Sequence, residues 1–197
     1  MKKKLIKKLI AAIGLGWIAL IFLVMILTII IIGASLSGNN EDQRAVISIG
    51  LSEEVLAHKD TVLKYAKQEG IAAYLNLILA VMMQESGGRG LDPMQASECQ
   101  FNTKYLPRKP NSIEDKAYSI EVGVKNLADC LKKAGCKSPT DMENVKLSLQ
   151  GYNFGQGFIP WAQERGGYSM ENANAFSKMM ASSWGAGSYG DVSYVPH

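Results

Sequence analysis

Glu85 stands where a carboxyl group could work as an acid. The residues at 75, 78, 79, 82 and 83 are bulky and apolar, so positions i, i+3, i+4, i+7 and i+8 form one stripe of a helix that seeks a core. Gly87-Gly88 ends that helix, since paired glycines supply a left-handed C-terminal turn. Glu85 therefore falls in the last turn, where its charge would face the negative end of the helix dipole. Partial burial and the dipole both raise a carboxyl pKa. A carboxyl kept protonated near neutral pH is what general acid catalysis needs. The plainer alternative is a solvated glutamate that merely ends a helix.

Two further stretches share the chain with Gln84-Glu85-Ser86-Gly87-Gly88. They are Asp92-Pro93-Met94-Gln95 and Gly151-Tyr152-Asn153-Phe154-Gly155. In this order the three resemble motifs of the goose-type lysozyme and lytic transglycosylase superfamily: a Glu-Ser opening, a Gly-Leu-Met-Gln element and an Ala-Tyr-Asn-Ala-Gly element. The chain most resembles the muramidase domains of Gram-positive conjugative transposons, which occur alone or joined to a cysteine peptidase domain. The likeness covers roughly residues 50–195. It implies a lysozyme-like fold and cleavage of the glycan strands of peptidoglycan, with Glu85 as the acid.

The chain departs from the transglycosylase pattern at Asp92, where that group has glycine. A glycosidase with a second carboxylate can use it to stabilise an oxocarbenium ion, to attack the sugar or to activate water. The transposon-borne group pairs its Glu with this Asp, so the resemblance carries that role to Asp92, with Glu98 as a more distant substitute. Asp followed by Pro is also a good helix N-cap with Pro at the first helical position. By the same resemblance Ser86 would orient Glu85 through a hydrogen bond. Gln95, Tyr152 and Asn153 would contact sugar, since amides and phenols match N-acetyl and hydroxyl groups. Tyr152 reads equally well as a core residue. His58 and His197 are the only histidines, which argues against a zinc hydrolase or a Cys-His peptidase centre. No metal or organic cofactor is implied, and Cys99 reads as a packing residue.

The elements that must position these residues are helical. Ser52 is a good N-cap for a first helix, with Glu53 and Glu54 in its first turn and Gly70 as its stop. The acid-bearing helix follows at about 72–86, then a loop to Asp92-Pro93. Ser112-Ile113-Glu114-Asp115 resembles a capping-box start for a long helix towards Lys133, ended by Gly135. Helical patterns recur at about 140–150 and 171–181, while the glycine-rich stretches 154–168 and 185–190 read as loops. Strand-like alternation is nearly absent, so the fold class expected is mainly α. Among Cys99, Cys130 and Cys136, the pair Cys130–Cys136 is the favoured disulfide, closing a small loop across a helix end; three free thiols are the alternative.

Ahead of this domain, Lys2, Lys3, Lys4, Lys7 and Lys8 precede 24 uncharged residues, Leu9 to Ile32. At about 1.5 Å per residue the run reaches roughly 36 Å, enough for a hydrocarbon core of about 30 Å. The expected organisation is a cytoplasmic basic tip (1–8), a transmembrane signal anchor (9–36), a linker (37–50) and a lysozyme-like catalytic domain (51–197) on the wall side of the membrane. A cleaved signal peptide is the alternative, but its apolar region is normally about 7–15 residues. Net charge is +3 from 21 basic and 18 acidic residues. Five of the basic and none of the acidic residues precede the span, which leaves 16 against 18 and a net −2 beyond it. No nucleic-acid surface is expected from that balance. The partners expected are peptidoglycan glycan strands, the membrane through the N-terminal helix and, from family context alone, a type IV secretion apparatus. The function expected is N-acetylmuramidase action on the β-1,4 bond between N-acetylmuramic acid and N-acetylglucosamine. The competing expectations are a lytic transglycosylase giving 1,6-anhydro ends and a non-catalytic glycan-binding subunit.

Overall fold

The computed structural model describes residues 50–195. The basic tip, the anchor expected at 9–36, nearly all of the linker, Pro196 and His197 lie outside the described residues. In order the chain forms α1 (Glu53–Ala57), α2 (Lys59–Gln68), a 3-10 turn (Ala72–Tyr74), α3 (Leu75–Ser86), α4 (Lys116–Ala134), α5 (Met142–Phe154), α6 (Phe158–Gln163) and α7 (Met170–Trp184). Among the described residues there is no strand, so the mainly α expectation holds. None of the helices described is long and apolar enough to cross a membrane.

The longest of the helices described, α4, packs against α2, α5 and α6. Its Ile120, Val124, Leu127 and Leu131 are at most 3 % exposed, and their spacing of 4, 3 and 4 keeps them on one face. Truncating one such residue, for example Leu127→Ala, should cost about 2–5 kcal/mol. The sequence places the start of α4 at Ser112, but the helix begins after Asp115, whose Oδ1 accepts from the N–H groups of Ala117 and Tyr118 at 2.9 and 3.2 Å. Ile113, 1 % exposed, gives its N–H to Ser97 Oγ at 2.9 Å, and this long-range bond holds 112–114 in a loop. Gly123 lets that neighbourhood close: a Cβ there would lie 2.4 Å from Met94 Cβ, so any side chain would push the 92–97 loop off α4.

Phe154, Phe158 and Phe176 join α5, α6 and α7, with ring centroids 5.3 to 5.6 Å apart. Helix α6 lies in the stretch expected to be a loop. Phe158, Ile159 and Ala162 are fully buried, and that burial prevails over poor local propensity. Pro160 is tolerated because it sits in the first turn, where backbone N–H groups have no partner inside the helix. The first expected helix divides at His58 into α1 and α2. All three cysteines are free thiols, which corrects the favoured Cys130–Cys136 disulfide. Cys130 is fully buried in α4, whereas Cys136, beyond the left-handed Gly135, meets Ser148 Oγ at 3.4 Å.

Candidate active site

Helix α3 delivers Glu85, and α1 fixes the end of α3. Gly87 caps it in the left-handed region, φ 65°, and its carbonyl accepts from Ser52 Oγ at 2.8 Å. The same Ser52 oxygen caps α1 by accepting from Val55 N–H at 3.1 Å, as the sequence expects of an N-cap. His58 Nε2 lies 3.1 Å from the Gly88 carbonyl. Gly88 has φ 80°, and a Cβ there would meet the Val55 nitrogen at 2.6 Å, so only glycine lets the turn sit against α1.

Glu85 is half-buried, and Tyr194 Oη donates to its Oε1 at 2.6 Å. Burial is the main influence on its acidity and raises its pKa to about 7; the Tyr194 hydrogen bond works the other way, and the nearby Asp92 charge adds to the rise. The carboxyl is therefore about half protonated at neutral pH and largely protonated below it. Tyr194 itself is 7 % exposed, and its hydroxyl is held well above the usual phenol range by burial and by Glu85. The tail that carries it is tied to α5: Gln150 Nε2 donates to the Asp191 carbonyl at 2.9 Å, and Asn153 Oδ1 accepts from Asp191 N–H at 2.8 Å. Nothing in the types or spacing of residues 189–195 points to Tyr194, because its contact spans 109 positions.

Asp92 is 3 % exposed and accepts four hydrogen bonds. Its Oδ1 takes Ala96 N–H at 2.9 Å and Ser119 Oγ at 2.6 Å; its Oδ2 takes Ser97 N–H at 3.0 Å and Ser97 Oγ at 2.5 Å. The carboxylate thus folds the 92–97 loop onto α4. It caps a turn, and no helix starts at Pro93 as the capping alternative expects. Ser97 and Ser119 are partners that the sequence reading does not single out. Ser86 also differs from expectation, because its Oγ donates to the Pro93 carbonyl at 2.7 Å and accepts Gly88 N–H at 3.0 Å. It ties α3 to the loop rather than hydrogen-bonding Glu85.

Glu85, Gln95, Glu98, Cys99, Tyr152 and Asn153 line one cleft of about 710 Å³, together with Gln100, Asn126, Gln156, Trp184 and Tyr189. Asp92 and Ser86 are not in that lining, and Glu98 is its other carboxylate, exposed to solvent. Gln95 has φ 46°, and its Nε2 donates to the Asp92 carbonyl at 3.0 Å and to Asn111 Oδ1 at 3.2 Å. Tyr152 is 8 % exposed and donates through Oη to the Met94 carbonyl at 2.8 Å, so it braces the loop as well as reaching the cleft. Burial raises the pKa of the Cys99 thiol and keeps it neutral. No group of three or more His, Cys, Asp or Glu suited to a metal ion occurs among the described residues.

A half-buried glutamate of raised pKa at a cleft of a helical domain matches a known pattern. The family model described as Lysozyme-like matches residues 52–195. The chain belongs to the lysozyme-like family. Within that family it is 44 % identical over 151 residues to the bifunctional muramidase/DL-endopeptidase CwlT of Bacillus subtilis (strain 168), covering 76 % of this chain and 42 % of that protein. It is 35 % identical over 130 residues to the pneumococcal vaccine antigen A homolog of Streptococcus pyogenes serotype M1, covering 64 % of this chain and 59 % of the relative. Among solved structures, a protein described as similar to a lipoprotein of the NLP/P60 family, from Staphylococcus aureus subsp. aureus Mu50, matches with a TM-score of 0.61 and 34 % identity, covering 74 % of this chain and 51 % of that one. The lysozyme-like chain thus spans about half the length of these relatives.

Proposed function

We propose that the domain is an N-acetylmuramidase, cleaving the β-1,4 bond between N-acetylmuramic acid and N-acetylglucosamine in peptidoglycan, with Glu85 as general acid. The observation that carries this reading is the Glu85 carboxyl at the cleft, its pKa raised to about 7 by burial and its Oε1 held by Tyr194. With Oε1 accepting from Tyr194, the proton falls to Oε2. Transfer of that proton to the glycosidic oxygen breaks the bond to the sugar's anomeric carbon, and the resulting oxocarbenium ion takes up water to give a reducing N-acetylmuramic acid end. The name of the B. subtilis relative, a muramidase in part, supports the same bond.

In this reading Asp92 serves chiefly as the loop's buried carboxylate. Its charge helps keep Glu85 protonated and favours the positive charge that develops on the sugar. A second reading, a lytic transglycosylase that forms 1,6-anhydro ends, is favoured by one observation: both Asp92 oxygens are already fully engaged. The two are separated by the mass of the released ends, since an anhydro end is one water lighter. Glu85→Gln should lose about 10²–10⁴-fold in wall lysis under either reading. The lysines and the apolar run at Leu9–Ile32 support an anchored domain on the wall side, opening the wall locally, and by family context conjugation through a type IV secretion apparatus is the setting we propose. Protease added to wall-less cells should then digest the domain and spare the N-terminal tip; an intact domain would refute that placement.

A further inference from the structure

Trp184 is 69 % exposed, the most exposed of the large apolar side chains at the surface described, and it lines the same cleft as Glu85. A lone exposed apolar side chain is ordinary at a protein surface, but an indole plane that lines a cleft with polar groups around it offers a contact face. This one is also held in place. Its ring meets Tyr189 edge-on, with centroids 5.3 Å apart and planes at 79°. Tyr189 is fixed in turn: its Oη donates to the Phe154 carbonyl at 2.8 Å, and Ser177 Oγ donates to its carbonyl at 2.7 Å. The ring of Tyr189 lies 5.9 Å from that of Phe154, which belongs to the aromatic core. Trp184 is thus a solvent-facing plane backed by a braced phenol and then by the core.

Amides supply another part of the lining. Gln100 Nε2 donates to Gln156 Oε1 at 2.7 Å, and Gln156 Nε2 donates to Asn126 Oδ1 at 3.0 Å. A pyranose ring presents an apolar face of C–H groups and an edge of hydroxyls and N-acetyl groups. An aromatic plane suits the first and a chain of amides the second. Resting on the reading above, that this cleft takes glycan strands, we propose that Trp184, backed by Tyr189, is the stacking platform of a sugar subsite remote from the bond that is cleaved, and that it sets how long a strand must be to bind well.

The test uses the full chain carrying Glu85→Gln, so that bound strands are not degraded, and peptide-free glycan strands of two, four and six sugars. The Glu85→Gln protein should bind the longer strands more tightly than the disaccharide. Adding Trp184→Ala should weaken binding of the six-sugar strand by roughly 3- to 10-fold and leave disaccharide binding unchanged, and Trp184→Tyr should restore part of the loss. In the otherwise wild-type enzyme Trp184→Ala should raise KM for long strands and spare kcat. Thermal unfolding should be unaffected, since the side chain is mostly in water. Unchanged affinity of the Trp184→Ala protein for the six-sugar strand, with the preference for long strands intact, overturns the platform alone. Failure of the Glu85→Gln protein to bind any strand overturns the platform together with the function it rests on.

Discussion

Glu85→Gln should remove activity and yet stabilise the fold, and the stabilisation should appear only as pH rises. The side chain's pKa goes from an ordinary 4.5 to about 7 on folding. At about 1.36 kcal/mol per pKa unit this difference corresponds to a ceiling of about 3 kcal/mol. Because the carboxyl is partly open to the cleft, solvent screening reduces the figure to about 2 kcal/mol. The folded pKa lies above the unfolded one, so the protonated carboxyl favours the folded state fully below pH 4.5, and that contribution is lost as pH rises through about 7. Glutamine has no proton to lose and escapes the loss. The melting temperature of the Glu85→Gln protein should therefore draw away from that of the wild type between pH 4.5 and 7, and stay about 4–8 °C higher at pH 8.5, using about 2–4 °C per kcal/mol for a domain of this size. Thermal unfolding followed by circular dichroism at pH 4, 6 and 8.5 measures the gap. A gap that is the same at all three values, or that closes as pH rises, would refute the argument that burial makes Glu85 an acid.

Asp92→Asn should destabilise the domain, because the amide nitrogen would face two hydrogen-bond donors where an oxygen now accepts. The expected cost is about 3 kcal/mol or more, read from chemical denaturation, and activity should fall with stability. A large loss of kcat at unchanged stability would instead make Asp92 a direct participant. Tyr194→Phe removes the hydrogen bond that lowers Glu85's pKa, so the acid should titrate higher still. The alkaline limb of the pH–activity profile should move to higher pH, and kcat should drop roughly tenfold as Oε1 loses its anchor. An unmoved limb would remove Tyr194 from the positioning role.

Those outcomes turn on contacts that differ in how visible they are in the sequence. The acid-bearing helix was legible because its signals are local: an apolar stripe, a carboxyl in the last turn and glycines after it all fall within about 15 residues. Ser52, Gly135 and the bounds of α5 and α7 were readable for the same reason, to within a few positions. Helix α6 was hidden because Gly155, Gly157, Pro160, Gly166 and Gly167 all suggest a loop, while the deciding term is the burial of Phe158 and Ile159 against distant helices. The start of α4 was misplaced by a bond from Ile113 to Ser97, which no local propensity contains. Glu85 could be named from its own surroundings, but Tyr194 could not, since only the folded tail brings the two together. Asp92 was visible as a carboxylate near Glu85. What its oxygens bind was not, and that depends on Ser119, 27 positions away.

The most direct test of the central claim is mass spectrometry of the fragments that the protein releases from purified peptidoglycan, with the Glu85→Gln protein as control. The account predicts disaccharide-peptide fragments ending in reducing N-acetylmuramic acid, and essentially none from the Glu85→Gln protein. Fragments ending only in the anhydro form, one water lighter, would contradict hydrolysis. Equal release by both proteins would contradict the role given to Glu85.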